Sequence, residues 1–158
     1  MRISQKLLSV AVFAALASGA WAESFDVVVI GSGGAGLSSA IMAKEAGASV
    51  VVLEKQAYLG GNTNFASGGM NAAGTKQQIA AGITDDSPEL FYADTMKGGH
   101  NLNNPALLKT MTENARYAEE WLMDLGAGFC FRKGRGGGQS IARGHGPCDG
   151  SAVGPVIL

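Results

Sequence analysis

The 158-residue sequence predicts an α/β fold that begins with a strand–helix–strand unit and continues with further helices. Three observations predict this fold: a β-branched run, a glycine-rich turn directly after it, and a second β-branched run that follows a stretch of helix formers. Apolar residues make up 46% of the chain and charged residues 16%, with a formal net charge of -1. This composition excludes a disordered charged tail and argues against binding of nucleic acid through its phosphates.

The first 22 residues have the pattern of a secretory signal peptide, so residues 23–158 are expected to form the folded part. Arg2 and Lys6 provide the positive start, a ten-residue apolar run (LLSVAVFAAL) follows, and Ala20-Trp21-Ala22 provides a cleavage site. The apolar run is too short for a bilayer, which needs about 20 residues. The alternatives are an uncleaved anchor and a buried helix. The pattern predicts export to the periplasm with no membrane span.

Residues 25–30 (FDVVVI) are predicted to form a strand buried on both faces, because apolar β-branched residues dominate the run. The turn that follows, GSGGAG, fits the spacing G-x-G-x-x-G. Gly31 permits a tight turn, Gly33 lets the backbone approach a diphosphate, and Gly36 lets the next helix pack closely. The free N–H groups and the positive dipole end of that helix would face the phosphates.

The next elements complete a Rossmann-like βαβ unit. Residues 37–46 are rich in helix formers, and Gly47 lies where a helix is expected to end. Residues 50–53 (VVVL) predict a second buried strand, and Glu54 follows it, where a carboxylate can accept hydrogen bonds from an adenosine ribose. This order of elements predicts a dinucleotide site, and the alternative is a glycine-rich turn without a ligand.

The segment after Glu54 contains two glycine pairs, at positions 60–61 and 68–69, among amide and hydroxyl side chains. Such a backbone can run close to an extended flat ligand, which favours FAD over a nicotinamide cofactor. A long flexible loop is the alternative interpretation. An NAD(P)-binding dehydrogenase is a further alternative, since it would share the βαβ unit.

Two later helices are predicted from their first residues. Ser87-Pro88 and Asn104-Pro105 each place a capping side chain before a proline at the first helical position. Apolar residues at helical spacing predict a buried stripe on the second helix, which ends at Gly126, with the charged residues on its solvated side. The stripe consists of Leu108, Met111, Ala115, Ala118, Leu122 and Leu125, and the solvated residues are Glu113, Arg116, Glu119 and Glu120.

Residues 126–154 are rich in glycine and contain four cationic residues with no acidic residue between Asp124 and Asp149. One interpretation is a cationic loop over an active site, where it would favour an anionic substrate or the cofactor phosphates. The other is a solvated loop. As a lone histidine, His145 is expected to serve the structure. The cationic residues are Arg132, Lys133, Arg135 and Arg143.

The two cysteines, Cys130 and Cys148, are equally compatible with one disulfide bond and with two free thiols. Neither lies at a metal-like spacing from a histidine, so no metal site is predicted. Neither belongs to a C-x-x-C-H motif, so no c-type haem is predicted.

The runs FDVVVIGSGGAGL, VVVLEK, GGNT and SGGMNAAGT resemble the flavoprotein subunits of fumarate reductase and succinate dehydrogenase. The resemblance is greatest to the soluble periplasmic branch, which includes flavocytochrome c fumarate reductases and reductases of methacrylate or urocanate. It continues through SPEL, TMKGG, NPAL and RGHGP. It implies an incomplete doubly wound FAD domain: an N-terminal part without the capping domain, whose arginines and histidines would clamp the substrate and deliver the proton.

The resemblance also implies a set of site residues, none of them catalytic. They are Gly31, Gly33, Ala35 and Gly36 for the FAD diphosphate, Glu54 for the ribose, and Asn62, Thr63, Ser67 and Gly68 for the flavin, with Gly68 also beside the substrate. By its position in the family, His145 could also approach the flavin.

The position of Asn62 is that of the histidine that binds FAD covalently in membrane-bound relatives, so the resemblance implies non-covalent FAD. It further implies reduction of the C=C bond of fumarate or a related 2-enoate, with electrons from a separate periplasmic c-type cytochrome. The 158-residue chain alone is expected to be inactive. A catalytically inactive FAD-binding module is the other interpretation.

Overall fold

The computed structural model describes residues 23–156, so the predicted signal peptide lies outside the described residues. In chain order the elements are β1 (Val27–Ile30), α1 (Gly34–Glu45), β2 (Val50–Leu53), a 3-10 helix (Gly61–Phe65), β3 (Met70–Asn71), α2 (Lys76–Ala80), α3 (Pro88–Gly98), α4 (Pro105–Asp124), β4 (Phe129–Arg132), β5 (Gly144–Pro147) and α5 (Val153–Val156).

The predicted βαβ unit is confirmed. Strands β1 and β2 pair in parallel, with Val27 opposite Val50 and Ile30 opposite Leu53. Helix α1 connects them and packs against both. The predicted burial of both strands was wrong: in β1 Val28 is 54% and Ile30 87% exposed, and in β2 no residue is buried and Leu53 is 52% exposed. Within the described residues the two strands pair only with each other, and α1 covers the opposite face.

Helix α1 begins at Gly34, three residues earlier than predicted, and ends at Glu45. The glycine predicted at its end is confirmed, because Gly47 follows the last turn with a positive φ of 90°. Its backbone N–H donates to the carbonyl oxygen of Lys44 at 3.0 Å. A residue with a side chain adopts this left-handed conformation only at a cost, so glycine is favoured there.

Helices α3 and α4 pack against each other, and both predicted caps are confirmed. The Ser87 hydroxyl accepts a hydrogen bond from the Leu90 N–H at 3.2 Å. The Asn104 Oδ1 accepts from the N–H groups of Ala106 and Leu107 at 3.0 and 3.1 Å. Each cap thus satisfies N–H groups that the first turn of a helix leaves unpaired.

The predicted stripe of α4 is only partly correct. Met111 is 43% exposed and Leu125 is 50% exposed, and Ala118 is exposed as well. The observed buried line advances by four, three and four residues and includes polar side chains. Its members are Leu108, Thr112, Ala115 and Glu119.

Glu119, predicted on the solvated side with its charged neighbours, is fully buried. Its Oε1 accepts a hydrogen bond from the Nε2 of Gln77, a partner distant in sequence, at 2.9 Å, whereas its Oε2 is buried without a hydrogen-bond partner among the described residues. Removal from water raises the pKa of Glu119 above its ordinary value.

A second sheet of three antiparallel strands has the order β3-β5-β4. Met70 of β3 and Phe131 of β4 both lie opposite His145 of β5. Cys130 of β4 forms a disulfide bond with Cys148, which directly follows β5, with the two Cα atoms 4.9 Å apart. Of the two states compatible with the sequence, the structure therefore has the bridge.

The glycine-rich segment contributes two strands rather than one loop, and neither predicted interpretation holds for Arg143. This residue is 1% exposed, and its guanidinium lies 2.6 Å from a carboxylate oxygen of Asp86 and 2.6 Å from one of Asp94. The acidic partners come from outside the segment, on α3 and just before it. Lys133 and Arg135 are exposed, in agreement with a solvated surface.

His145 is fully buried beside this ion network. Its Nε2 lies 2.9 Å from the Thr75 hydroxyl, and its Nδ1 lies 2.9 Å from the Arg143 carbonyl oxygen. Burial lowers the pKa of His145 below its ordinary value. Both ring nitrogens have partners within the domain, which favours the structural role over approach to a cofactor.

Candidate functional site

A groove of about 560 Å³ opens at the carboxyl ends of β1 and β2. In parallel α/β units this edge is also where the connecting helix begins, so strand ends and helix N–H groups meet there. The residues that line the groove are Ile30, Gly31, Ser32, Gly33, Leu53, Glu54, Lys55, Gln56, Tyr58, Gly61 and Asn62.

Two fingerprint glycines are required by the backbone itself. Gly31 has a positive φ of 95°, which lets the chain turn directly out of β1. A Cβ on Gly36 would lie 2.0 Å from the Gly31 carbonyl oxygen, so α1 can press against the turn only without a side chain there. These two residues therefore bring the start of α1 to the edge of the groove.

Gly33 keeps the mouth of the groove open. A Cβ there would have no protein atom closer than 3.8 Å, so a side chain would fit against the protein but would occupy space in front of the backbone. Without a side chain at Gly33, the backbone of the turn is accessible to a bulky group. A bound diphosphate requires this close approach to the backbone at the second glycine of the fingerprint.

The N–H groups at the start of α1 are suited to bind an anion. The Gly34 N–H donates to the Thr63 hydroxyl at 2.9 Å. Within residues 23–156, no acceptor bonds the N–H of Ala35 or Gly36, and Gly33 has no side chain to cap them. Unpaired N–H groups and the positive helix end together favour a phosphate or a carboxylate.

Glu54 presents an ionised carboxylate to the same groove. Its Oε2 accepts hydrogen bonds from the Ser32 hydroxyl at 2.6 Å and the Ser32 N–H at 2.9 Å, and its Oε1 accepts from the Gln56 N–H at 2.9 Å. The Ser32 hydroxyl and then the Gln56 N–H lower the pKa of Glu54 to about 2. At neutral pH this side chain is therefore an acceptor only.

The loop after β2 is fixed to the fingerprint turn. Gly60 pairs with Gly33 in a parallel bridge, and the Gly60 N–H donates to the Ser32 carbonyl oxygen at 3.1 Å. The 3-10 helix that follows carries Asn62, which is exposed and lines the groove, and Thr63, whose hydroxyl reaches α1. The first glycine pair thus brings the Asn62 amide to the groove and the Thr63 hydroxyl to the start of α1.

The remaining two predicted residues lie farther along the chain. Ser67 and Gly68 are exposed, and Gly68 has a positive φ of 86°. They precede β3, and the adjacent Gly69 lies so close to β5 that a Cβ would be 2.1 Å from the His145 carbonyl oxygen. Neither residue lines the groove at the ends of β1 and β2.

Ser32 is the residue of the site to which the sequence analysis assigned no role. It is fully buried and contacts both Glu54 and Gly60. The indication in the sequence was its chemistry: Ser32 carries the only polar side chain between Gly31 and Gly36, and a hydroxyl can donate and accept at once.

Residues 23–156 contain no group of three His, Cys, Asp or Glu side chains that could hold a metal ion. None of their helices is both long enough and apolar enough to cross a membrane.

Two curated relatives share much of the sequence. The chain is 55% identical over 136 residues to the NADH:fumarate oxidoreductase of Klebsiella pneumoniae (strain 342), which covers 86% of this chain and 14% of that protein. It is 50% identical over 145 residues to the fumarate reductase (cytochrome) of Shewanella frigidimarina, covering 92% of this chain and 25% of that protein.

A solved structure extends the likeness to the fold. The open conformation of a flavocytochrome c3 fumarate reductase matches with a TM-score of 0.77 and 37% identity, covering 99% of this chain and 27% of that chain. The chain thus spans between 14% and 27% of the length of these three proteins. Residues 26–156 match the family model described as an FAD binding domain, and the chain belongs to that family.

Proposed function

We propose that this chain binds FAD in the groove at the carboxyl ends of β1 and β2. The observation that carries the proposal is that Gly31 and Gly33 line the same groove as the ionised Glu54 carboxylate. The turn that contains these glycines leads directly into the unpaired N–H groups of Ala35 and Gly36 at the start of α1. The N–H groups suit the FAD diphosphate, with Gly31 and Gly33 providing the approach. The carboxylate suits the hydroxyls of the adenosine ribose.

The flavin end of the cofactor is assigned to the loop beyond Gly60. Asn62, Thr63, Ser67 and Gly68 would line the flavin, with Gly68 also beside the substrate. Thr63 bonds the N–H of Gly34, which supports one continuous surface from the diphosphate toward the flavin. Asn62 has an amide rather than an imidazole, so the cofactor is held without a covalent bond at this position.

For the whole protein we propose periplasmic reduction of the C=C bond of fumarate or a related 2-enoate such as methacrylate. The relatives that support it are named as fumarate-reducing enzymes, one with NADH and one with a cytochrome in its name. The signal-peptide pattern of residues 1–22 supports the periplasm, and the cytochrome-named relative supports a separate c-type cytochrome as electron donor. When bound, FAD supplies the redox chemistry, and this chain binds and orients it.

A ligand titration of the isotope-labelled chain tests cofactor binding. We expect FAD to shift the amide NMR resonances of residues 31–36 and the side-chain resonances of Glu54, with an affinity at least about tenfold higher than that of NAD, because only FAD extends over the loop beyond Gly60. A Ser39→Ala variant, which alters an exposed hydroxyl on the same helix, is the control. Tighter binding of NAD, or no shift with millimolar FAD, would overturn the proposal in favour of a nicotinamide site or a plain turn.

An activity assay addresses the inactive-module alternative. We expect the 158-residue chain with FAD to show no fumarate reduction with a reduced dye as donor, because the resemblance places the substrate clamp and the proton donor outside it. A full-length protein that includes this chain is expected to reduce fumarate or a 2-enoate. Turnover by the chain alone would show that its own residues complete the active site.

A further inference from the structure

We infer that Ser32 is a positioning residue for the groove. Its buried hydroxyl orients the Glu54 carboxylate toward the ribose and connects that carboxylate to the Gly60 loop. The inference rests on the proposed function, because it assigns Ser32 a task in the same FAD site. Ser32 is fully buried, so its hydroxyl acts through its neighbours rather than on the ligand itself.

The direction of each hydrogen bond is fixed by chemistry. The Gly60 N–H donates to the Ser32 hydroxyl at 3.0 Å, because an amide N–H can only donate. The hydroxyl has one proton, and it donates that proton to Glu54 Oε2 at 2.6 Å. The chain therefore runs from the amide through the hydroxyl to the carboxylate, and its last bond is short and charge-assisted.

This chain of bonds determines which part of Glu54 remains free. Oε2 receives two hydrogen bonds from Ser32, one from the hydroxyl and one from the N–H, while Oε1 receives one from the Gln56 N–H. A carboxylate offers about four acceptor positions, so about one position, on Oε1, remains for a ribose hydroxyl. Because both oxygens are fixed, that position points in one direction before a ligand arrives, which lowers the entropy cost of binding.

The two partners of the Ser32 hydroxyl, Glu54 and Gly60, do not depend on it equally. The Gly60 N–H also donates to the Ser32 carbonyl oxygen at 3.1 Å, and a Ser32→Ala variant keeps that bond. Glu54 keeps only the bonds from backbone N–H groups and loses its shortest one. We therefore expect loss of the hydroxyl to loosen the carboxylate more than the loop.

The structure contains a matched control for this effect. At the opposite end of the same two strands, Ser49 donates its hydroxyl and its N–H to Asp26 Oδ2 at 2.6 and 2.8 Å. Both of these residues are exposed and lie away from the groove. A Ser49→Ala variant thus removes the same kind of bond between the same strands.

The test combines a carboxyl titration by NMR with titration of ADP-ribose, which contains the adenosine diphosphate moiety that FAD would place in the groove. Ser32→Ala is expected to raise the pKa of Glu54 toward 4.5 and to weaken ADP-ribose binding about tenfold. Ser49→Ala is expected to raise the pKa of Asp26 toward 3.8 and to leave ADP-ribose binding unchanged. The other titratable groups at the groove, Lys55 and Tyr58, are the same in all variants.

A double-mutant cycle separates positioning from general destabilisation. In a Glu54→Gln background, Ser32→Ala is expected to cause little further loss of ADP-ribose affinity, because the group it orients has changed. An equal tenfold loss in both backgrounds would overturn the positioning role. If Ser32→Ala does not fold, Ser32→Cys replaces it, since a thiol is a weak donor of similar size.

The outcomes distinguish the two proposals. If the wild-type chain binds neither ADP-ribose nor FAD, the proposed function fails and this inference fails with it. If the wild-type chain binds ADP-ribose but Ser32→Ala binds it equally well with an unchanged Glu54 pKa, only the positioning role is overturned.

Discussion

The two ends of the β1–β2 pair carry the same serine–carboxylate arrangement. At the carboxyl end Ser32 donates its N–H and hydroxyl to Glu54 Oε2 at 2.9 and 2.6 Å. At the amino end Ser49 donates its N–H and hydroxyl to Asp26 Oδ2 at 2.8 and 2.6 Å. Each arrangement joins the two parallel strands, so the local chemistry alone does not distinguish the ends.

What distinguishes the ends is their surroundings. The Asp26 N–H donates back to the carbonyl and hydroxyl oxygens of Ser49, both at 3.0 Å, so the amino-end arrangement is closed on itself. The carboxyl-end arrangement faces the groove, which the turn that leads into α1 also lines. In a parallel βαβ unit only the carboxyl end faces the helix N-terminus. The same motif therefore supports a strand pair at one end and a candidate binding site at the other.

The largest expected effect comes from the glycines at the two ends of α1. Gly36→Ala should lower the free energy of unfolding by about 4 kcal/mol, because a Cβ would lie 2.0 Å from a backbone oxygen that cannot move away. Gly47→Ala should cost about 1 kcal/mol, since the site is open and only the positive φ is unfavourable. Chemical denaturation of both variants measures the difference. Equal losses would show that the groove end has no special close approach.

The disulfide bond lies away from both ends of the β1–β2 pair. It therefore provides a reference change that lowers stability without affecting ligand binding. Replacing Cys130 and Cys148 together by serine should lower the free energy of unfolding by about 3 kcal/mol, as expected for a loop of 18 residues. Affinity for ADP-ribose should not change, because neither cysteine lines the groove. A loss of affinity in this variant under conditions where it is folded would show that the groove depends on the second sheet.

Features that depend on short stretches of chain could be predicted from the sequence. Neighbouring residues alone determine four such features: the turn at Gly31, the glycine after α1, and the helix caps at Ser87 and Asn104. Each is either a glycine where the backbone has a positive φ or a polar side chain that accepts from unpaired helix N–H groups. The position of Glu54 directly after β2 could also be predicted, because the length of a βαβ unit determines where its second strand ends.

Features that depend on partners distant in sequence could not be predicted. Arg143 is buried because Asp86 and Asp94 neutralise it, and Glu119 is buried with Gln77 as its partner. Hydrophobic periodicity assigns charged residues to solvent unless such partners are known.

The exposure of β1 and the role of Ser32 are also three-dimensional properties. A β-branched run predicts a strand but not how many of its faces are covered. The Ser32 hydroxyl gains its role only where β2 and the Gly60 loop meet the turn.

Amide variants of the two carboxylates compare the ends directly with a ligand. Glu54→Gln should weaken ADP-ribose binding about tenfold, because a charged acceptor is replaced by a neutral amide that also presents donors to the ribose. Asp26→Asn should leave the affinity unchanged, since its partner Ser49 and the residue itself lie away from the groove. Isothermal titration calorimetry or NMR titration provides the measurement. A comparable loss of ADP-ribose affinity with Asp26→Asn would show that both substitutions act by weakening the β1–β2 pair and not through a binding site at Glu54.

Acid should affect the two ends alike, and this is the smallest of the expected effects. The pKa of Glu54 is about 2 in the folded chain against an ordinary value of 4.5, and the pKa of Asp26 is lowered from 3.8. A depressed folded pKa stabilises the protein above the unfolded value and loses that contribution as the pH falls through the folded value. Glu54→Gln should therefore flatten the decline in stability between pH 4.5 and about 2, and Asp26→Asn should flatten it below 3.8. Denaturation curves at stepped pH measure both slopes. If only one variant flattens the decline, the two serine–carboxylate arrangements are not equivalent in the free chain, and the difference between the ends precedes any ligand.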